Sequence, residues 1–266
     1  VNGTKYEVGD VIGILISDAA GDASLDAVLP YGTYGIKEIT TNDSYLLTDG
    51  TERIFAVREE GKIVSTGIDG NSLHFDNDPV KGKASIQKTD KENSSAQGDA
   101  SLKGIRFAVV NDSEGSVVVD GNTIAAGQVA MVLVTDDEGN AATADRSLPY
   151  GEYTVYELRS DANVKVGADW ETADKGVSIY ANETGYLYKA QSKPIEITTD
   201  GQVASTVFSD EPLRGGMKIE KWDAELGCKA AQGDADFSGI KFEITNKSKA
   251  PVYVRSEERR VGKECR

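Results

Sequence analysis

The stretch Ser85-Ile86-Gln87-Lys88-Thr89-Asp90 returns later in the chain as Lys218-Ile219-Glu220-Lys221-Trp222-Asp223. Its side chains have a period of two, which predicts a half-buried β-strand with Ile86, Lys88 and Asp90 on one face. The two copies lie about 130 residues apart, a spacing that suits a whole domain and is too long for a solenoid repeat. The chain is therefore expected to be an array of modules.

Two further motifs are repeated with this strand. Ala96-Gln97-Gly98-Asp99-Ala100 returns as Ala231-Gln232-Gly233-Asp234-Ala235. The pattern Leu-Pro-Tyr-Gly-x-Tyr occurs at residues 29–34 and 148–153, and a glutamate follows four residues after its second tyrosine in each copy. Three motifs repeated in a consistent order indicate duplicated domains rather than chance similarity.

Overlaying the copies divides the chain into modules. Residues 1–81 match the C-terminal part of a module, residues 82–214 a complete second module, and residues 215–254 the N-terminal part of a third. We therefore expect the chain to be a fragment of a longer protein. Residues 255–266 have no counterpart in the second module and reverse the local charge, so they are predicted to be a non-native tail of the kind that a translated sequencing adapter produces.

The predicted fold class is all-β, with tandem antiparallel β-sandwich modules of an immunoglobulin-like or prealbumin-like type. Short alternating segments occur at residues 105–109, 129–134, 153–156 and 194–198, and pairs such as Asp120-Gly121 and Asp200-Gly201 mark tight turns between strands. Strands at this spacing, with turn residues between them, favour sandwiches. One helical turn is predicted within residues 168–180.

Composition excludes several functions. The net charge of −15 repels nucleic acid and anionic lipid, and no apolar run is long enough to cross a membrane. His74 is the only histidine, and Cys228 is the only cysteine outside the predicted tail, so neither a zinc site nor a triad of Ser-His-Asp type is predicted. The acidic residues 136–140 lack the spacing of a calcium loop and predict a turn. No metal or cofactor is expected.

Three charged residues of the second module lie in apolar patterns. Lys88 shares its strand face with Ile86, Glu157 shares one with Val155, and the alternation places Asp210 on the face of Phe208. If the apolar members point inward, three charged groups are buried, and buried charges are costly unless they are paired. The alternative from the residues alone is a solvated lysine that forms a weak surface salt bridge.

The order of these motifs resembles a known family. A lysine in an Ile-x-Lys-x-Asp first strand, then Leu-Pro-x-Gly-x-Tyr-x-x-x-Glu, then a last strand with Asn or Asp two residues before proline, is similar to the B-type domains of Gram-positive collagen adhesins and the SpaA-like pilin modules. The resemblance covers residues 1–254. It implies that the first-strand lysine joins the last-strand Asn or Asp through an isopeptide bond, assisted by the glutamate.

Carried over to this sequence, the resemblance assigns Lys88 as the amine donor, Glu157 as the assisting acid and Asp210 as the acceptor. Two incomplete sites are also implied. The first module retains Glu38 and Asn77 without a lysine, and the third retains Lys221 alone. An apolar interior favours the neutral forms of amines and carboxyls, which makes the amine nucleophilic and the acid able to donate a proton.

The function implied is a stalk or spacer of a bacterial cell-surface adhesin or pilin-like protein, extracellular and anchored to the wall in the full-length protein. Its crosslinking is a single-turnover event, so the chain is not expected to be an enzyme. The alternative is a module that binds collagen, another host matrix protein or glycan. Contacts with host matrix or glycan are otherwise expected through domains outside this fragment. A polysaccharide-degrading enzyme that carries these repeats as accessories is the third interpretation.

Overall fold

The regular structure of the described residues consists of β-strands, as the alternating segments of the sequence predict. A computed structural model describes residues 3–25, 28–177 and 184–254, so the predicted non-native tail, residues 255–266, lies outside the described residues. The strands in the described part are β1 (Gly32–Ile36), β2 (Tyr45–Leu46), β3 (Arg53–Val57), β4 (Asp78–Pro79), β5 (Lys81–Asp90), β6 (Arg106–Asn111), β7 (Val117–Val119), β8 (Asn122–Ile124), β9 (Val129–Val134), β10 (Asn140–Ala142), β11 (Leu148–Pro149), β12 (Gly151–Glu157), β13 (Tyr186–Leu187), β14 (Ser192–Ile197) and β15 (Val203–Pro212).

The chain divides into two compact units, Val1–Asp78 and Pro79–Arg266. In the first unit β1 pairs antiparallel with β3, and Tyr34 stacks on its cross-strand partner Phe55 with ring centroids 5.6 Å apart. A second short pair joins β2 to β4. The separation of residues 82–214 from residues 215–254, both of which belong to the second unit, stays a prediction.

The second unit contains two sheets that face each other. Sheet I has the order β10-β5-β15-β13, with β11 also paired to β5, and sheet II has the order β14-β12-β6-β9. Phe107 of sheet II meets Phe208 of sheet I at a centroid distance of 4.9 Å. Alternate residues of both sheets form one buried cluster, so the second module is a β-sandwich, as its sequence predicted.

The outer face of sheet II is also covered. Ala108, Val110 and Val129 point away from the sandwich core and pack under residues of the connection after β12, among them Leu158 and Trp170. This second cluster explains why β6 is buried at nearly every position instead of at alternate ones. Both faces of sheet II are therefore covered by packed side chains, and β12, which carries Glu157, belongs to this sheet.

Three expectations for secondary structure need correction. The sandwich is not wholly antiparallel, because β5 and β15 run parallel, with Lys88 opposite Phe208 and Asp90 opposite Asp210. Residues 168–177 form turns without a helix, and residues 178–180 lie outside the described part. Residues 218–223, predicted as the first strand of a third module, are not in a strand, and their apolar side chains Ile219 and Trp222 are exposed instead of packed in a core.

The described residues include no helix that is both long and apolar enough to cross a lipid bilayer.

The Leu-Pro-Tyr-Gly-x-Tyr motif forms the same hydrogen bond in both copies. The hydroxyl of Tyr153 donates to the carbonyl oxygen of Pro149 at 2.8 Å, and that of Tyr34 donates to Pro30 at 2.7 Å. Tyr153 is buried, and its burial raises the pKa of its phenol. The motif thus closes the turn that leads into β12 and sets the register of the strand that carries Glu157.

We predict that Tyr153→Phe lowers the free energy of unfolding by about 1–2 kcal/mol, because the buried carbonyl of Pro149 loses its donor. Denaturant unfolding of the chain measures this loss. Tyr150→Phe is the matched control, since Tyr150 belongs to the same motif but its side chain is exposed. Equal effects of the two changes would contradict the role assigned to the Tyr153 hydroxyl.

Candidate functional site

Three strands bring the predicted residues of the second module together. Lys88 lies in β5, Asp210 in the parallel neighbour β15, and Glu157 at the end of β12 in the facing sheet. Because β5 is buried at every second position, the side chain of Lys88 follows those of Ala84 and Ile86 into the sandwich interior. The site is therefore built across the core from two layers.

The three charged groups are in direct contact. The Nζ atom of Lys88 lies 2.9 and 2.8 Å from the two carboxylate oxygens of Glu157 and 2.8 Å from Oδ2 of Asp210. Lys88 is 0% exposed, Glu157 5% and Asp210 3%. The alternative of a solvated lysine in a surface salt bridge is thus wrong for Lys88.

Burial controls the protonation of Glu157. Loss of solvent raises the pKa of its carboxyl from 4.5 to about 8; the charge of Lys88 opposes this shift and that of Asp210 adds to it. At neutral pH the protonated form of Glu157 is therefore well populated. The cluster then contains a neutral acid that can donate a proton.

Gln191 is a site residue that the sequence did not predict. Its Nε2 donates to Oδ1 of Asp210 at 2.7 Å and to the carbonyl oxygen of Ser209 at 3.2 Å, and lies 3.5 Å from Oε2 of Glu157. Asp210 therefore presents one oxygen to the lysine and the other to an amide donor. No signal in the sequence marks Gln191, because it precedes β14 outside all three repeated motifs.

A small cavity opens beside the cluster. It has a volume of about 80 Å³, and Glu157, Tyr188 and Asp210 contribute to its lining. The hydroxyl of Tyr188 donates to the backbone carbonyl of Glu157 at 3.2 Å. The space exceeds what a single water molecule needs, and its polar lining offers hydrogen-bond partners.

A second buried carboxylate lies at the end of β5. Asp90 accepts hydrogen bonds from the backbone N–H of Glu92, from Nε2 of Gln97 and from the hydroxyl of Tyr186, at 2.8, 3.0 and 3.0 Å. Burial and the negative charge of Asp90 raise the pKa of Tyr186, which keeps the phenol protonated as a donor. Asp90 is thus fully paired. Its hydrogen bonds connect the end of β5 to the loop that follows it and to Tyr186 of β13.

The first module brings its two predicted residues together. Nδ2 of Asn77 donates to both carboxylate oxygens of Glu38 at 2.7 Å, while Oδ1 of Asn77 accepts the backbone N–H of Thr48 at 3.0 Å. The acid and the amide of the first module therefore contact each other directly, whereas Glu157 and Asp210 of the second module are joined through Lys88 and Gln191. Lys221 is exposed, donates to the carbonyl oxygen of Trp222 and lies 5.5 Å from the ring centroid of Phe237.

The remaining candidates, His74 and residues 136–140, lie at the surface and in a turn. His74 is exposed and lies 3.3 Å from a carboxylate oxygen of Asp76. Residues 136–140 form the turn from β9 to β10, with the backbone N–H of Asp136 bonded to the carbonyl oxygen of Asn140. Among the described residues, no cluster of three or more His, Cys, Asp or Glu side chains could hold a metal ion.

The chain is similar in structure to pilins and related proteins of Gram-positive bacteria. The Bacillus anthracis TIE protein aligns at 22% identity and a TM-score of 0.42, over 75% of this chain and 28% of that chain. BcpA, the major pilin subunit of Bacillus cereus, aligns at 16% identity and 0.32, over 61% and 37%. The shaft pilin SpaA from Lactobacillus rhamnosus GG aligns at 17% and 0.30, over 78% and 70%.

This chain thus spans well under half of the first two of these proteins. No family model matches the sequence, and no curated protein matches it.

We predict a pH dependence from the raised pKa of Glu157. The native state binds a proton at this carboxyl between pH 4.5 and about 8, where the unfolded chain has released it, so its contribution to stability is present at low pH and falls as the pH rises through this window. The slope is at most about 1.4 kcal/mol per pH unit for one proton.

Urea unfolding at several pH values measures this contribution. Between pH 4.5 and about 8, the free energy of unfolding of the unchanged chain should fall with a steeper pH slope than that of Glu157→Gln, which cannot titrate at this position; the comparison is of slopes, because the variant also lacks the proposed crosslink. A difference that grows in the opposite direction would contradict the assignment of a neutral Glu157.

Proposed function

We propose that the chain is a stalk segment of a bacterial cell-surface adhesin or pilin-like protein, and that its second module crosslinks itself through an isopeptide bond between Lys88 and Asp210. The observation that carries the crosslink is the buried contact of 2.8 Å between Nζ of Lys88 and Oδ2 of Asp210, with Glu157 against the same nitrogen. The repeated modules and the family resemblance support the stalk role.

The reaction needs no external reagent. A proton passes from the Lys88 ammonium to the Asp210 carboxylate, and the neutral amine attacks Cγ of Asp210. Glu157 donates its proton to the departing oxygen and recovers one from the attacking nitrogen, so an amide and one water are formed and Glu157 ends protonated. The fixed strands hold the reacting atoms together, which supplies a high effective concentration.

Gln191 positions the acceptor in this scheme. Its amide donates to Oδ1 of Asp210, the oxygen that does not face the lysine, and so holds the carboxyl plane in place. The same donor stabilises the negative charge that develops on this oxygen when the amine attacks. The cavity beside Glu157 and Asp210 has room for the water that leaves.

Formation of the amide removes the desolvation cost of a buried ion pair. A buried ion pair loses the solvation of both charges, whereas an amide is neutral and keeps its hydrogen-bonding capacity. The bond also closes a loop of about 120 residues, which the chain-entropy model values at roughly 5 kcal/mol. Because β5 begins the module and β15 ends it, tension along the chain would pass through the crosslink instead of unzipping the sheet.

The chemistry occurs once for each molecule, which is why an enzymatic role is not proposed. An extracellular location at the bacterial surface follows from the stalk role. Binding of collagen, another host matrix protein or glycan by this module stays the alternative prediction.

We predict that the intact chain has a mass lower than that of its sequence by one water, about 18 Da, because one amide forms by condensation. Lys88→Met and Glu157→Gln should abolish the loss, the first by removing the amine and the second by removing the proton donor. Mass spectrometry of the denatured protein measures the shift, and circular dichroism verifies that each variant has folded.

Lys91→Met is the matched control for the lysine. Lys91 forms an exposed ion pair with Glu211 at 2.8 Å and should leave the loss of water unchanged. A loss of ammonia, about 17 Da, would instead indicate reaction at an asparagine such as Asn77. An unshifted mass in the unchanged, folded chain overturns the crosslink.

Gln191→Leu should slow bond formation by about ten- to a hundredfold without changing the final product, because one donor to the developing oxyanion is lost. A time course of the mass shift in freshly synthesised protein from cell-free translation measures the rate. Gln191→Glu tests the same point, since a carboxylate at this position repels the oxyanion and should slow the reaction further. A rate equal to that of the unchanged chain would remove Gln191 from the mechanism.

A further inference from the structure

A loop of the second module holds a segment that follows it in the chain. The loop consists of residues 96–100, here named the Gln97 loop, and the docked segment consists of residues 249–253. The backbone N–H of Gly98 donates to the carbonyl oxygen of Pro251, and the N–H of Ala250 donates back to the carbonyl oxygen of Gly98, both at 3.0 Å. The two segments therefore hold each other through backbone hydrogen bonds in both directions, outside any strand.

The side chain of Gln97 connects the docked segment to the module interior. Its Nε2 donates to Asp90 at 3.0 Å and to Glu92 at 3.1 Å, while its Oε1 accepts the backbone N–H of Tyr253 at 3.0 Å. Both ends of one buried amide are therefore used, one inside the second module and one on the docked segment. The contact is thus tied to the buried carboxylate at the end of the Lys88 strand.

Side chains outside the loop add to this contact. Oδ1 of Asp99 accepts the backbone N–H of Lys249 at 3.1 Å. Arg214, in the connection between the two parts, donates to the carboxylate of Glu92 and to the carbonyl oxygen of Tyr253, the latter at 3.0 Å. Arg214 therefore links the second module to the docked segment.

The backbone of the Gln97 loop lets the docked segment approach it closely at Gly98. Gly98 has a φ of +63°, and a Cβ atom at this position would lie 3.2 Å from Cγ1 of Val252. A larger residue would be strained by its backbone and would also press on the docked segment. Both the positive φ and this tight contact favour glycine at position 98.

The copy of the motif at residues 231–235 has the same internal arrangement. Nε2 of Gln232 donates to Asp223 at 3.0 Å and to Glu225 at 2.8 Å, and the backbone N–H of Glu225 donates to Asp223 at 2.9 Å. Within the described part of the chain, Oε1 of Gln232 accepts no hydrogen bond, and its side chain is exposed. Gly233 has a φ of +53° with open space around its Cβ position.

We propose that the Gln97 loop is a socket for the following module, and that the motif at residues 231–235 is the next socket in the array. The partner is a copy of the module itself, presented through residues 249–253. This segment runs into the β7 equivalent of the next module, because Val252-Tyr253-Val254 match Val117-Val118-Val119 of β7 in the repeat. Each socket fixes the direction of the next module and so limits bending at the connection. The purpose of this joint rests on the proposed stalk role, whereas its existence does not.

Hydrogen exchange of the full chain tests the joint. Tyr253→Pro removes the N–H that Gln97 accepts, and exchange in a peptide covering residues 96–100 should become about five- to tenfold faster, as expected for the loss of about one hydrogen bond. Trypsin should also cut after Arg214 several-fold faster. Val254→Pro is the control, because Val254 is exposed and lies beyond the docked segment.

A second pair of variants separates the joint from backbone strain. Gly98→Ala and Gly233→Ala carry the same positive-φ cost, but only the first has a docked segment against it, so only the first should accelerate exchange in residues 249–253. Equal exchange in Tyr253→Pro and Val254→Pro, or no protection of Gly98 in the unchanged chain, overturns the proposal. The mass of the same samples reports the crosslink independently, so failure of one proposal is distinguishable from failure of the other.

Discussion

The structure of the second module depends on the parallel pairing of its first and last strands. That pairing places a lysine opposite a phenylalanine and, two residues later, an aspartate within reach of the ammonium group. The facing sheet supplies the glutamate, because β12 packs its alternate residues into the same core. Two layers of apolar side chains exclude water from three ionisable groups, so the electrostatic energy of the site depends on their protonation.

The polar groups of this interior form two adjoining networks with separate tasks. In one, Gln191 and Glu157 surround the atoms of Lys88 and Asp210 that can react. In the other, Asp90 is saturated by donors and connects through Gln97 to the segment that follows the module. Both networks begin on β5, at residues two apart on one face, so a single strand links the candidate crosslink to the candidate joint between modules.

The mechanical consequences of the two proposals complement each other. A covalent link between first and last strands protects a module from extension, but it leaves the connection to the next module free to bend. A socket that receives the next module restrains that connection through several hydrogen bonds, each of modest strength and lost or regained together. A stalk built in this way resists extension through covalent bonds and bending through non-covalent ones.

The sequence by itself determined the strands of the second module that have clear alternation, the repeated motifs and the three residues that meet in the core. Period-two patterning is a local property, and it already states that Lys88 shares a face with Ile86. Only the tertiary structure decided that β5 and β15 run parallel, that Gln191 reaches Asp210, and that Gln97 bonds to Tyr253. These contacts join residues far apart in the chain, and their geometry is set by sheet packing, which no local pattern of side chains encodes.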